Sequence, residues 1–342
     1  MQEKESNSRF AQRVWIATGI ISFAVVLLLL FKTIFSVLLL VLAGALIAIF
    51  FRSLAGLIEK KTGWPSTACL LISTLGTLLF VGGICWLVGA KVQAQIAQLT
   101  DTLPATIDKT KAQLQSTPLG QKIVERLSSP GSAAKTKGII SRFFSTSFGV
   151  LGDLYVVIFL GLFFTVSPKL YVDGIVTLIP DAGKPKTKKV LATIGDMLKK
   201  WLKGKLFAML VVLVLTAIGL VILGMPMWLT LAIIAGLLNF IPNFGPLIAM
   251  IPAVLIAFLQ GPNQALLVAG LYIFIQVLES NVITPSVQKK LIKIPPALII
   301  IAQLVMGVLT GGWGLLLATP LIAILMAVVQ EVYLKKQSSE NS

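Results

Sequence analysis

The sequence predicts an all-α, polytopic membrane protein, and three observations predict this class. Of the 342 residues, 56% are hydrophobic and only 12% are charged. The apolar residues form runs long enough to cross a hydrocarbon core of about 30 Å as helices. Two further apolar runs, of 33 residues each, are interrupted by Pro, Gly or Asn. We therefore expect about eight membrane segments, including two broken or re-entrant hairpins, plus a small extramembrane helical module.

Composition argues against enzymatic chemistry. The chain has no His and two Cys, so the commonest general base and the usual transition-metal ligands are missing. It also lacks the Gly-x-x-x-x-Gly-Lys-Ser/Thr pattern that cradles phosphates. The sequence predicts a protein that is not an enzyme and that uses no cofactor or metal.

The net charge of +16 has a different explanation from nucleic-acid binding. No stripe of Arg with interleaved aromatic residues is present. With both termini in the cytoplasm, 20 of the 29 Lys and Arg residues fall in cytoplasmic segments. Basic residues concentrate on the cytoplasmic side of membrane proteins, so the charge indicates topology, with the N- and C-termini inside.

The N-terminal region, residues 1–90, is predicted to contain three spans. Residues 14–31 and 34–51 are apolar runs separated only by Lys32 and Thr33, which predicts a helical hairpin. A third span follows at about residues 67–89. Together these runs define an N-terminal three-span region.

Residues 91–148 differ in composition from the rest of the chain. They are rich in Gln, Ser, Thr and Lys, and apolar residues such as Val92, Ile96 and Leu99 recur at helical spacing. We expect a small extracytoplasmic module of short amphipathic helices.

Residues 149–205 are predicted to hold a fourth span, residues 151–166, and an amphipathic helix over residues 186–201. The basic flank and apolar stripe of this helix suit the anionic surface of the cytoplasmic leaflet. The alternative is a connector that packs on its own protein. Trp201 at the end of this helix is predicted to be an interface anchor.

The C-terminal region, residues 206–334, is predicted to perform transport. After a fifth span at residues 206–223 and a turn at Gly224 and Pro226, residues 228–260 contain no charged side chain. As one helix they would run about 50 Å, and each half alone reaches only about 21 to 24 Å. The breakers at the centre of this stretch are Asn239, Pro242, Asn243, Gly245 and Pro246.

The same pattern recurs after a span at residues 264–283 that ends near Pro285. Residues 297–329 are again apolar and are interrupted at Gly311, Gly312 and Gly314. Paired broken segments are the best sequence-level pointer to a transporter's binding site near the membrane midplane.

Few polar residues in these runs could bind a solute or ion. Gln276, Glu279 and Asn281 end the span at residues 264–283, and an ionisable group in hydrocarbon should face protein or water. Glu279 could bind a coupling ion or a polar substrate group, or could be a structural residue at a helix end. Asn239 and Asn243 could be ligands, or could cap the broken backbone.

Asp153 lies in the first turn of the fourth span. Its simplest role is to complement the positive end of that helix.

Several short motifs, taken together, resemble a known family. They are Trp201, Leu202, Lys203, Gly204 and Lys205; Gly224, Met225 and Pro226; residues 238–246; residues 279–285; Pro295; and residues 311–320. In this order they resemble the autoinducer-2 exporter family (AI-2E, PerM-type permeases). The resemblance implies about eight membrane segments, cytoplasmic termini, a cell-membrane location, a homo-oligomer such as a pentamer, and elevator-like movement. Members are described as exporters of autoinducer-2, and others are linked to sodium or proton antiport.

The leading hypothesis is a secondary transporter that exports a small polar solute by alternating access at the paired hairpins. Its partners would be the lipid bilayer, the solute and a coupling proton or sodium ion. The rival classes are a sodium/proton antiporter, a passive channel, and a membrane scaffold without transport. Only a carrier would show trans-stimulated exchange.

Overall fold

The computed structural model describes residues 2–84, 86, 152–283 and 295–334. These residues are almost entirely helical and contain no strand. The helices are α1 (Gln2–Thr62), α2 (Ser66–Ile84), α3 (Gly152–Val166), α4 (Pro168–Thr177), α5 (Lys184–Ile222), α6 (Trp228–Leu238), α7 (Phe244–Phe258), α8 (Pro262–Leu278), α9 (Pro296–Thr310) and α10 (Gly312–Val329). The predicted module at residues 91–148, and Pro285, lie outside the described residues.

The first helix differs from the prediction. The chain runs through Lys32 and Thr33 as one helix of 61 residues, about 90 Å long. Neither residue is a helix breaker, and Thr33 Oγ1 donates a hydrogen bond to the Leu29 carbonyl one turn earlier. The predicted turn at Lys32 and Thr33 is therefore wrong, and the described residues before Ile84 form two helices where three spans were expected.

Helix α3 packs closely on the second half of α1. A Cβ atom added to Gly44 would lie 2.7 Å from Leu160 Cβ, and one added to Gly161 would lie 2.6 Å from Ile47 Cγ2. Small residues let membrane helices approach in this way. The Arg52 side chain then donates from Nε to the Thr165 carbonyl at 2.9 Å. This contact satisfies the end of α3 where the chain bends by 89° into α4.

Helix α5 joins two elements that the sequence suggested were separate. Its 39 residues include both the predicted amphipathic helix and the predicted fifth span. The apolar face of the first part packs on α1 and α10, and Trp201 is only 5% exposed. The structure therefore corrects the prediction that this face lies on the lipid surface, and it corrects the role of Trp201 as an interface anchor.

The two broken segments are helical hairpins, as predicted, and their turns have two features in common. Each turn contains a residue with positive φ, Asn243 (65°) in the first hairpin and Gly311 (67°) in the second. A glycine follows each of these residues. A Cβ added to Gly245 would collide with the backbone carbonyl group of Leu238, and one added to Gly314 would collide with that of Met306. Each of these carbonyl groups lies five residues before the positive-φ residue. Both turns therefore combine a positive-φ residue with a glycine packed on the preceding helix, although the ψ angle differs, −45° at Asn243 and −137° at Gly311.

The apolar helices agree with a multi-pass membrane protein. Among the described residues, five helices are long and apolar enough to cross a membrane, or six if the bent pair α3–α4 is one span. The arms α6, α7 and α9 are shorter apolar helices. One core cluster of buried residues joins the four helices α5, α6, α7 and α8. A second cluster joins α1, α3, α5, α9 and α10. One face of each hairpin is thus packed against the other helices, and the opposite face is exposed.

Candidate functional site

The tip of the first hairpin is bound by the second hairpin. Gln303 lies in α9 and is fully buried. Its Oε1 accepts a hydrogen bond from Asn243 Nδ2 at 3.0 Å, and its Nε2 donates to the Pro242 carbonyl at 2.9 Å. One side chain therefore satisfies both a side-chain donor and a freed backbone acceptor at the tip, which lipid could not do.

This tip also packs on α5. The rings of Trp201 and Phe240 meet edge to face, with centroids 5.8 Å apart. Gly236, one turn before the tip, packs against Leu213 and the Met209 carbonyl. Since α6 runs antiparallel to α5 between these contacts, Asn239 lies at the level of α5 residues 205–209.

Glu279 faces the same part of α5. It follows α8 at the start of a π-helical turn, Glu279–Ile283, and is 7% exposed. Its Oε1 lies 4.0 Å from Lys205 Nζ, and each of the two side chains is 9% exposed. The carboxylate therefore faces protein, as expected, and its electrostatic partner is a buried lysine.

Several buried polar atoms in the first hairpin tip and in α8 have no hydrogen-bond partner among the residues that the structure describes. They include both side-chain polar atoms of Asn239, which is 1% exposed, and Oε1 of Gln276. Tyr272 Oη is also unpartnered, one turn before Gln276 on the same face of α8. Buried polar atoms are nearly always bonded to protein or water, so this group has unused capacity to bind a polar ligand.

Asn281 does not join this group. Its side chain is exposed, and Nδ2 donates to the Val277 carbonyl of its own helix at 2.8 Å. Gln276 is partly committed in the same way, because its Nε2 donates to Ser280 Oγ at 3.1 Å. The structure places Gln276 about one turn before Glu279, places Asn239 and Asn243 in the tip of the first hairpin, and leaves the Asn281 side chain exposed.

The second hairpin tip is tied to α3. Trp313, two residues after Gly311, donates from Nε1 to Asp153 Oδ2 at 2.8 Å. Asp153 lies in the first turn of α3, as predicted, and it also has a specific partner that the sequence did not show. Both hairpin tips are therefore connected to other parts of the protein by hydrogen bonds.

Sequence reasoning missed Lys205 and Gln303. Lys205 appeared to be the last residue of a basic flank, and only the continuity of α5 brings it into the interior. Gln303 carried a signal that could have found it, since it is the only amide or charged side chain in α9. A lone amide in an apolar membrane helix needs a buried partner.

We expect Gln303→Leu to destabilise the protein. The Pro242 carbonyl and Asn243 Nδ2 would both lose their partners, at about 1–3 kcal/mol for each buried group. Gln303→Glu should cost less only where the new carboxyl group is protonated, because the acid can accept from Asn243 and donate to the Pro242 carbonyl, whereas an ionised carboxylate at this fully buried position is unfavourable. Unfolding of the detergent-solubilised protein would rank the variants. Equal stability of Gln303→Leu and the parent would show that the two hydrogen bonds are not needed.

The fold defines a class, a multi-pass membrane protein, and comparison with known sequences assigns this class to transport. The profile described as AI-2E family transporter matches residues 21–334. YueF of Bacillus subtilis (strain 168), described by its name as a transport protein, is 27% identical over 320 residues, which cover 87% of this chain and 85% of YueF. YrrI of the same organism, also described as a transport protein, is 32% identical over 152 residues, or 44% of this chain and 43% of YrrI. PerM of Escherichia coli (strain K12), described as a permease, is 24% identical over 143 residues, or 41% of this chain and 40% of PerM.

The chain belongs to the AI-2E transporter family. This membership confirms the resemblance noted in the sequence and the assignment to membrane transport.

Proposed function

We propose that the protein is a secondary transporter that exports a small polar solute, such as an autoinducer-2-like signal, by alternating access. The observation that supports this function is a set of buried polar atoms that have no hydrogen-bond partner among the described residues: those of Asn239 at the first hairpin tip, and Oε1 of Gln276, about one turn before Glu279. A solute with hydroxyl or carbonyl groups would satisfy these atoms. A scaffold without transport would gain nothing from keeping such atoms buried and unbonded.

The hairpins provide the moving part in this proposal. Gln303 links the first tip to the second hairpin, so the two hairpins would move together, as a carrier of the elevator type requires. During this movement the Trp313 Nε1–H group would break its hydrogen bond with Asp153 and donate to another acceptor. We place the protein in the cell membrane with both termini in the cytoplasm, as a homo-oligomer.

Counterflow in proteoliposomes tests the proposal. Vesicles containing the purified full chain would be loaded with unlabelled autoinducer-2 and placed in labelled autoinducer-2. We expect saturable, trans-stimulated uptake, because a carrier returns faster when it is loaded on the opposite side. Non-saturable flux without trans-stimulation would indicate a channel. If autoinducer-2 gives no flux, solutes that accumulate in cells lacking the protein would be tested in the same assay, and failure of all of them would contradict transport.

A further inference from the structure

The Glu279 carboxylate is a group that could bind a cation, and the ammonium of Lys205 already lies beside it. The carboxylate of Glu279 is 4.0 Å from Lys205 Nζ, and the side chains are buried to the same extent. About one turn earlier lies the buried Oε1 of Gln276, which has no hydrogen-bond partner among the described residues. Carboxylate and amide oxygens are the ligands that hard cations such as sodium prefer. The ammonium of Lys205 is a compact point charge that can substitute for such an ion.

Burial favours a cation beside Glu279. An ionised carboxylate away from water is unfavourable unless a positive charge compensates it. A metal ion or a proton could compensate the charge, but either would have to bind and leave during each cycle. Lys205 is covalently attached to α5 and is present whether or not a solute is bound.

We propose that the ammonium of Lys205 occupies the cation site of Glu279, so that this carrier works without a coupled sodium ion. The inference rests on the proposed transport function and distinguishes it from sodium/proton antiport. It also predicts that removal of the ammonium creates a vacant site for a small monovalent cation. The vacant site would accept sodium or methylammonium, whereas choline is too large to replace the ammonium.

Cation-specific stabilisation of the purified full chain tests this inference. The melting temperature would be measured in sodium, methylammonium and choline chloride at equal ionic strength. We expect the parent to melt at the same temperature in all three salts. Lys205→Ala should melt lower in choline and regain a few degrees, saturably, in sodium or methylammonium, since a ligand that binds only the folded state stabilises it.

Two control variants identify the site. Lys203→Ala removes an exposed lysine two residues earlier on α5 and should show no cation preference. Lys205→Met with Glu279→Gln removes both charges and should also show none. If Lys205→Ala does not fold, Lys205→Met keeps the aliphatic stem and takes its place in the comparison.

Two results would overturn the inference. One is sodium-specific stabilisation of the parent that the double variant lacks, because the site would then be open to metal with Lys205 in place. The other is a lysine variant that melts identically in all three salts. Exchange in sodium-free choline medium separates this inference from the proposed function: exchange that requires sodium contradicts only the role of Lys205, whereas no exchange in any medium contradicts transport.

Discussion

Gly245→Ala should prevent the first hairpin from closing. The new Cβ would lie 2.5 Å from the carbonyl carbon of Leu238 and closer still to its oxygen. These are backbone atoms, which cannot rotate away as a side chain can. Overpacking typically costs 1–3 kcal/mol, and a collision with backbone at a tight turn should reach about 3 kcal/mol or more. We expect a large fall in melting temperature and in the yield of monodisperse protein in detergent.

Gly270→Ala provides the matched control for this prediction. Gly270 lies inside α8, and a Cβ added there would have no heavy atom of a neighbouring group within 4 Å. Ala favours helix over Gly by about 0.5–1 kcal/mol, so this variant should be unchanged or slightly more stable. Similar losses for Gly245→Ala and Gly270→Ala would contradict the close approach at the first tip.

The hairpins could be predicted from sequence because their cause is local. Asn243, Gly245 and Gly311 lie within otherwise uniform apolar runs, and two runs of equal length repeated the pattern. The turn predicted at Lys32 and Thr33 failed for the opposite reason. A single charged residue interrupts a hydrophobic run but leaves the helical backbone intact, so the length of an apolar run indicates lipid exposure better than it indicates where a helix ends.

The candidate site was only partly predictable, since its contacts join distant segments. The burial of Glu279 followed from its place in an apolar span. Its pairing with Lys205 depends on the crossing of α5 and α8, which no local pattern specifies. Asn281 lies apart from Glu279: in the π-helical turn Glu279–Ile283 the residues at both ends are buried, and Asn281 between them is exposed. Residues two positions apart lie on nearly opposite sides of a helix, so helical spacing alone already separates Asn281 from Glu279.

The Lys205–Glu279 pair should show strong energetic coupling. In choline buffer, Glu279→Gln or Lys205→Met alone should cost about 3–5 kcal/mol, because each leaves a buried charge without its partner. The double variant should lose much less than the sum of the two, since it leaves neither charge behind. Free energies of unfolding from a denaturant titration in detergent would give the coupling energy.

The exposed pair Asp181–Lys184 is the control that makes this cycle informative. Its Nζ–Oδ1 distance is 2.6 Å, shorter than in the buried pair, but the Lys184 side chain is 38% exposed and the Asp181 side chain 95% exposed. If distance decided the coupling, the exposed pair would be the stronger. Because water screens it, we expect at most about 1 kcal/mol from Asp181→Asn with Lys184→Met. A coupling energy for Lys205–Glu279 no larger than this would mean that the buried charges are compensated elsewhere, and that Lys205 is not the counter-ion of Glu279.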